Sequence, residues 1–174
     1  MRYRYYFVPV IAFLFGMLST EALFAQQDIK IEGTYQIEKD QRHGWVILNV
    51  EIPEGFHVYA LTQKGSPPPT KIKLEESGQF ELMDKFKADK KPKVIEHDPI
   101  FDQRIEKYTG KVALMAPIKV ANATDLENVE FDLKISGQLC NDNGCRLFNN
   151  KKIEIEFAGY YDRDEKKKKK SNGL

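Results

Sequence analysis

Strict alternation of apolar and polar side chains constrains this chain more than any other feature. Val46, Leu48, Val50 and Ile52 take every second position, with Trp45 and Ile47 on the opposite face. Val129, Phe131, Leu133 and Ile135 repeat the pattern, as do Ile153, Ile155 and Phe157. Side chains along a strand point to alternate faces, so each segment buries one face and wets the other. Shorter pieces fit the same scheme: Ile29, Ile31, Tyr35 and Ile37; Phe56, Val58 and Ala60 after the Pro53-Glu54-Gly55 turn; Ile72 and Leu74; Phe80 and Leu82. Val112 and Leu114, then Ile118 and Val120, predict a strand interrupted at Pro117. No segment carries a sustained apolar stripe of helical period. The pattern predicts an all-β domain of antiparallel sheets, a sandwich or barrel. Two stretches resist strand assignment: the proline-rich Thr62 to Thr70, and Phe86 to Lys107, which reads as long, charged and irregular. Loops of that length in a compact domain are often functional.

The chain has 174 residues, 41% hydrophobic and 30% charged, which suits one globular domain with a proper core. Its formal net charge of +1 argues for no particular partner, and no basic stripe interleaved with aromatics suggests nucleic acid. Nothing points to a cofactor or a small-molecule substrate. The ends differ from the middle. Arg2 and Arg4 precede the apolar run Phe7 to Leu18, and Ser19 to Ala25 is a small-residue exit with expected cleavage after Ala22 or Ala25. This is signal-peptide grammar, and the run is short for a membrane span. An uncleaved N-terminal anchor is the alternative; no cysteine follows the run to carry a lipoprotein anchor. The expected division is therefore a signal peptide over 1–25, a β domain over 26–160 and a charged, solvated tail over 161–174 that includes Lys166 to Lys170. The expected location is the periplasm or the exterior of a bacterium. Asn122-Ala123-Thr124 matches a glycosylation sequon, which matters only in a eukaryotic secretory path.

The two cysteines, Cys140 and Cys145, flank Asn141-Asp142-Asn143-Gly144. Asn and Asp bond their own backbone and Gly accepts positive φ, so the insert is turn chemistry. A hairpin there sets the cysteines opposite each other, within reach of a disulfide. In an oxidising compartment such a pair is either a staple or a redox centre. As a staple it is modest, about 2 kcal/mol by the chain-entropy estimate for so short a loop. A polar turn leaves both sulfurs accessible, and exposed bonds are the labile ones. Spacing alone leaves the choice open. A zinc site would need His43, His57 or His97 beside the sulfurs, and no fourfold ligand spacing marks one. A lone thiolate hydrolase would not need a second cysteine so close.

Three segments in order carry a resemblance: Pro53-Glu54-Gly55-Phe56-His57-Val58-Tyr59, then His97 to Tyr108, then Ser136-Gly137-Gln138-Leu139-Cys140 through Cys145. Together they resemble the N-terminal periplasmic domain of the bacterial thiol:disulfide interchange protein DsbD, the disulfide bond corrector domain. The resemblance implies an immunoglobulin-like β-sandwich. It implies that Cys140 and Cys145 cycle between dithiol and disulfide, with electrons arriving from a membrane-embedded partner and passing to periplasmic thioredoxin-like proteins. It also implies a cap loop whose aromatic, here Phe101, covers the sulfurs, with Tyr59 and His57 flanking the pair.

The sequence departs from the family pattern in four places. It ends after this domain, so the expected donor is a separate membrane electron-transfer protein. The intercysteine loop is short. Arg146-Leu147-Phe148 replace the prolines usual after the second cysteine, and Pro99 and Ile100 replace acidic residues before the cap aromatic. The last change should remove negative charge and favour thiolate. The rival expectation is a non-catalytic immunoglobulin-like binding module whose disulfide pins a hairpin. Because a carrier has no substrate of its own, its standing as an enzyme is open.

Overall fold

Eleven strands account for most of the described residues. The computed structural model describes residues 28–39, 42–75, 78–121, 125–126 and 131–162; the expected signal peptide, the sequon, Val129 and the lysine run fall outside them. In order, the strands are β1 (Lys30–Glu38), β2 (His43–Glu51), β3 (His57–Tyr59), β4 (Lys71–Leu74), β5 (Phe80–Leu82), β6 (Lys87–Ala88), β7 (Lys93–Asp98), β8 (Gln103–Tyr108), β9 (Lys111–Val120), β10 (Asp132–Asn141) and β11 (Gly144–Tyr161). Among the described residues there is no helix.

The hydrogen-bonded order is β5-β9-β2-β1-β11-β10-β3-β8-β7, with β4 also on β10 and β6 also on β9. β11 makes this one path. Its first part pairs with β10 as far as Asp132 opposite Glu154, and its second part pairs with β1 from Gly33 opposite Ile155. The two sheets therefore share a strand and enclose one core. Their inward residues follow the alternation: Val46, Leu48 and Val50 from β2, Leu114, Ala116 and Ile118 from β9, Leu133 and Ile135 from β10. Full burial of each large aliphatic side chain contributes about 2 kcal/mol. Tyr35 sits at the centre with no exposure, within 5.4 Å of the ring centroids of Phe80, Phe131 and Phe157. Its hydroxyl donates to the Leu126 carbonyl at 2.5 Å, which satisfies the one polar atom it buries. Burial, chiefly, pushes that hydroxyl's pKa up to about 12.

Three sequence expectations are corrected. β9 runs unbroken through Pro117, which stands opposite Trp45. The Pro117 carbonyl accepts from Met83 N at 2.9 Å, so its polar side faces the gap between β5 and β6, and no bond to β2 is missing. Secondly, the sheets are not wholly antiparallel, because β1 and β11 run parallel. Alternation has the same period in either direction, so the pattern carries no sign of this. Gly33 permits the approach: a Cβ there would lie 2.2 Å from Ile155 Cδ1. Thirdly, Phe86 to Lys107 holds β6, the whole of β7 and most of β8. β7 is largely exposed on both faces, so charge masks its period.

Candidate functional site

β10 and β11 form a hairpin that sets Cys140 opposite Cys145 and Asn141 opposite Gly144. Asn143 N donates to Asn141 Oδ1 at 3.0 Å, and Gly144 takes a positive φ of 145°. The cysteines are joined, with an S–S distance of 2.08 Å and Cα atoms 4.0 Å apart. The expected accessibility of both sulfurs holds for one only. Cys145 is exposed, whereas Cys140 is 1% exposed.

Register explains this asymmetry. Leu139 pairs with Val58 and faces the core, so Cys140 and its partner His57 face outward. Tyr59, two residues on, shares that face. An outward residue is normally wet, but here Cys140, Tyr59 and Ile105 form a second buried cluster, with Ile95 packed on it. Ile95 and Ile105 are paired across the β7–β8 hairpin. That hairpin supplies the cover.

Its tip is shaped by Asp98, whose Oδ1 accepts from Ile100 N at 2.9 Å and Phe101 N at 3.2 Å. Asp102 N closes back on the Asp98 carbonyl at 2.8 Å, and Asp102 adopts a φ of 52°. The Phe101 ring meets Tyr59 edge-on at 6.4 Å, and Tyr59 meets His57 edge-on at 5.4 Å. The structure thus brings together Phe101, Tyr59, His57 and Cys140 on one face. Phe101 remains 36% exposed, and Ile100 beside it 83%.

The proline-rich loop holds the base of this hairpin. Gln63 is buried; its Oε1 accepts from Glu106 N at 2.6 Å, and its Nε2 donates to the Lys64 carbonyl at 2.8 Å. Ala60 N donates to the Glu106 carbonyl at 2.8 Å, and the Thr62 hydroxyl donates to the Glu106 carboxylate.

Burial, and secondly the Lys107 ammonium, lower the His57 pKa to about 4; Asp142 and Asp98 oppose them. The imidazole is therefore neutral at pH 7. Burial, with Asp98 behind it, raises the Tyr59 hydroxyl. Pro99 and Ile100 carry no charge, while Asp98 beside them keeps an acidic group within range of His57 and Tyr59. Among the described residues, no three His, Cys, Asp or Glu side chains are placed to hold a metal ion. His97 turns instead to Asp102, with Nε2 at 3.2 Å from the carboxylate. The sequence reasoning missed Ile95, Ile105 and Lys107. Ile105 and Lys107 lay within the His97 to Tyr108 segment without a role of their own, and the signal for Ile95 was a short alternation dominated by charge.

A disulfide with one open and one buried sulfur suits a directed exchange, because an incoming thiolate reaches one sulfur and expels the other. The family model described as thiol:disulfide interchange protein DsbD, N-terminal, matches residues 23–156. Among solved structures the chain is similar to the N-terminal periplasmic domain of ScsB from Proteus mirabilis, with a TM-score of 0.53 and 12% identity over 82% of this chain and 52% of that one. The chain thus spans about half the length of that relative. It is also similar to a chain from the complex between the DsbD N-terminal and PilB N-terminal domains of Neisseria meningitidis, with a TM-score of 0.41 and 16% identity over 71% of this chain and 79% of that one. No curated protein matches significantly. The two-sheet architecture is the immunoglobulin-like sandwich that the resemblance implied.

Proposed function

The chain belongs to the DsbD N-terminal family of thiol:disulfide interchange domains, and we propose that it is an exported redox carrier working through Cys140 and Cys145. The proposed organisation keeps a signal peptide over 1–25, the carrier domain over 26–160 and a charged tail beyond. The periplasm is its proposed place, as the ScsB relative is itself a periplasmic domain. Its proposed partners are thioredoxin-like proteins on one side and a membrane electron-transfer protein on the other.

The observation that carries this reading is the unequal burial of the two sulfurs. A partner thiolate attacks Cys145 Sγ, the exposed end. The S–S bond breaks, Cys140 leaves as the thiolate and takes up a proton, and Cys145 is held in a mixed disulfide. The partner's second thiolate then attacks its own sulfur in that bond and frees Cys145. Two electrons have moved: the partner is oxidised to a disulfide and this domain is reduced to a dithiol. The reverse sequence delivers them to an acceptor. Phe101 and Tyr59 are the proposed cover over Cys140 between encounters.

Equilibration in glutathione buffers followed by thiol alkylation tests the proposal. The pair should titrate as one two-electron couple. A pair that stays oxidised under strong reductant would remove the carrier role.

A further inference from the structure

Beside the disulfide, away from the β7–β8 hairpin, lies a groove of about 320 Å³ that the exchange chemistry does not use. Pro68, Pro69, Lys71, Lys73, Gln138 and Leu147 are among its lining residues. It continues the outward face that bears the sulfurs. Gln138 is two residues before Cys140, Leu147 is two after Cys145, and Gln138 and Leu147 are paired across the hairpin. The groove and the open sulfur are therefore neighbours on one surface.

Two features of the groove suit a protein segment. Leu147 is 78% exposed, an apolar side chain left in water next to a reactive position. Lys71 and Lys73 project from the same face of β4, both exposed, and among the described residues neither has an acidic side chain within ion-pair distance. Their neighbours differ: Lys134 is paired with Glu75, and Lys152 with Asp132 at 2.7 Å. The groove thus presents two uncompensated positive charges around an apolar floor.

We propose that this groove docks the partner segment flanking its reactive cysteine, and that it selects an acidic segment with an apolar side chain. The proposal rests on the exchange function above and adds the chemistry of the partner. Acidic residues would sit against Lys71 and Lys73, and the apolar side chain on Leu147, with the partner sulfur brought to Cys145.

The probes are two capped peptides, Glu-Glu-Leu-Cys and Lys-Lys-Leu-Cys, each activated as a mixed disulfide with thionitrobenzoate. The reduced domain attacks the peptide sulfur through Cys145 and releases thionitrobenzoate. Cys140 then closes the domain disulfide and releases the peptide thiol. The initial release rate is read for both peptides at low and high salt. The native domain should favour the acidic peptide by about threefold to tenfold at low salt, and less at high salt. Lys71→Gln with Lys73→Gln should abolish the preference, and Lys71→Glu with Lys73→Glu should invert it. Leu147→Ser should slow both peptides alike. Reduction by neutral dithiothreitol is the control. A disulfide that dithiothreitol cannot reduce would defeat the exchange function itself. A reducible disulfide with no acidic preference, or with one that survives the double Gln substitution, overturns the groove proposal alone.

Discussion

Reducing the Cys140–Cys145 bond separates a staple from a carrier, and the size of the effect follows from the fold. The cysteines are 5 positions apart. Closing so short a loop in the unfolded chain costs about 2 kcal/mol of entropy, which is the stability the bond can add. That equals the burial of about one core leucine. The hairpin is held independently, by the register from Asp132 to Asn141 and by the Asn141–Asn143 turn bond, so the fold should survive reduction. Urea titrations with and without a phosphine reductant are the assay. The expected outcome is a fall in midpoint worth about 2 kcal/mol with an unchanged slope. The same cycle sets the potential: folding should make the couple more reducing than the unfolded peptide by about 45 mV. A loss of about 4 kcal/mol or more, or a reduced chain that unfolds in plain buffer, would refute the argument and favour the non-catalytic binding module.

Further outcomes follow from single side chains. Folding lowers the His57 pKa from 6.5 to about 4, so the unfolded chain binds more protons in that window and stability should fall as pH drops from about 6.5 to 4. The full shift would be worth about 3 kcal/mol, and partial exposure reduces it to about 1–2; melts of native and His57→Gln protein across this range check it, the variant having the flatter profile. Phe101→Ala should speed reduction by a small thiol severalfold with little loss of stability, and unchanged stopped-flow rates would remove the cover role. Gly137→Ala should cost about 1–3 kcal/mol by denaturant titration, since its Cβ would meet Phe148 Cζ at 2.7 Å.

Alternation made the core legible because burial on one face is a local property. Val46, Leu48 and Val50, or Leu133 and Ile135, declare their inward side without reference to other strands. Direction and pairing are not local, and the parallel contact of β1 with β11 left no mark. Pro117 misled for a related reason: a proline breaks a ladder only if its missing N–H faces a neighbour, and that depends on where β5 ends. The site shows the same division. The Asn141 to Gly144 turn and the facing cysteines were readable, since turn chemistry is written in consecutive residues. The burial of Cys140 was not. It depends on Ile95 and Ile105, brought over the sheet by a hairpin whose charged residues hide its period.

The burial of Leu139 and Cys140 in succession is the sharpest clue in the fold. A strand with one wet face should not bury neighbouring residues, so a second layer must cover the sheet at that point. A hairpin staple needs no such layer, because two sulfurs joined across a tight turn hold each other wherever they lie. On the proposed mechanism the layer has a use. It makes Cys140 the sulfur that small oxidants and reductants do not reach, and leaves Cys145 as the end open to a docked protein. The neutral His57, paired with Cys140 across β3 and β10, adds no positive charge beside that sulfur. In the return step Cys140 is therefore the closing group: as thiolate it attacks the Cys145 sulfur of the mixed disulfide and releases the partner.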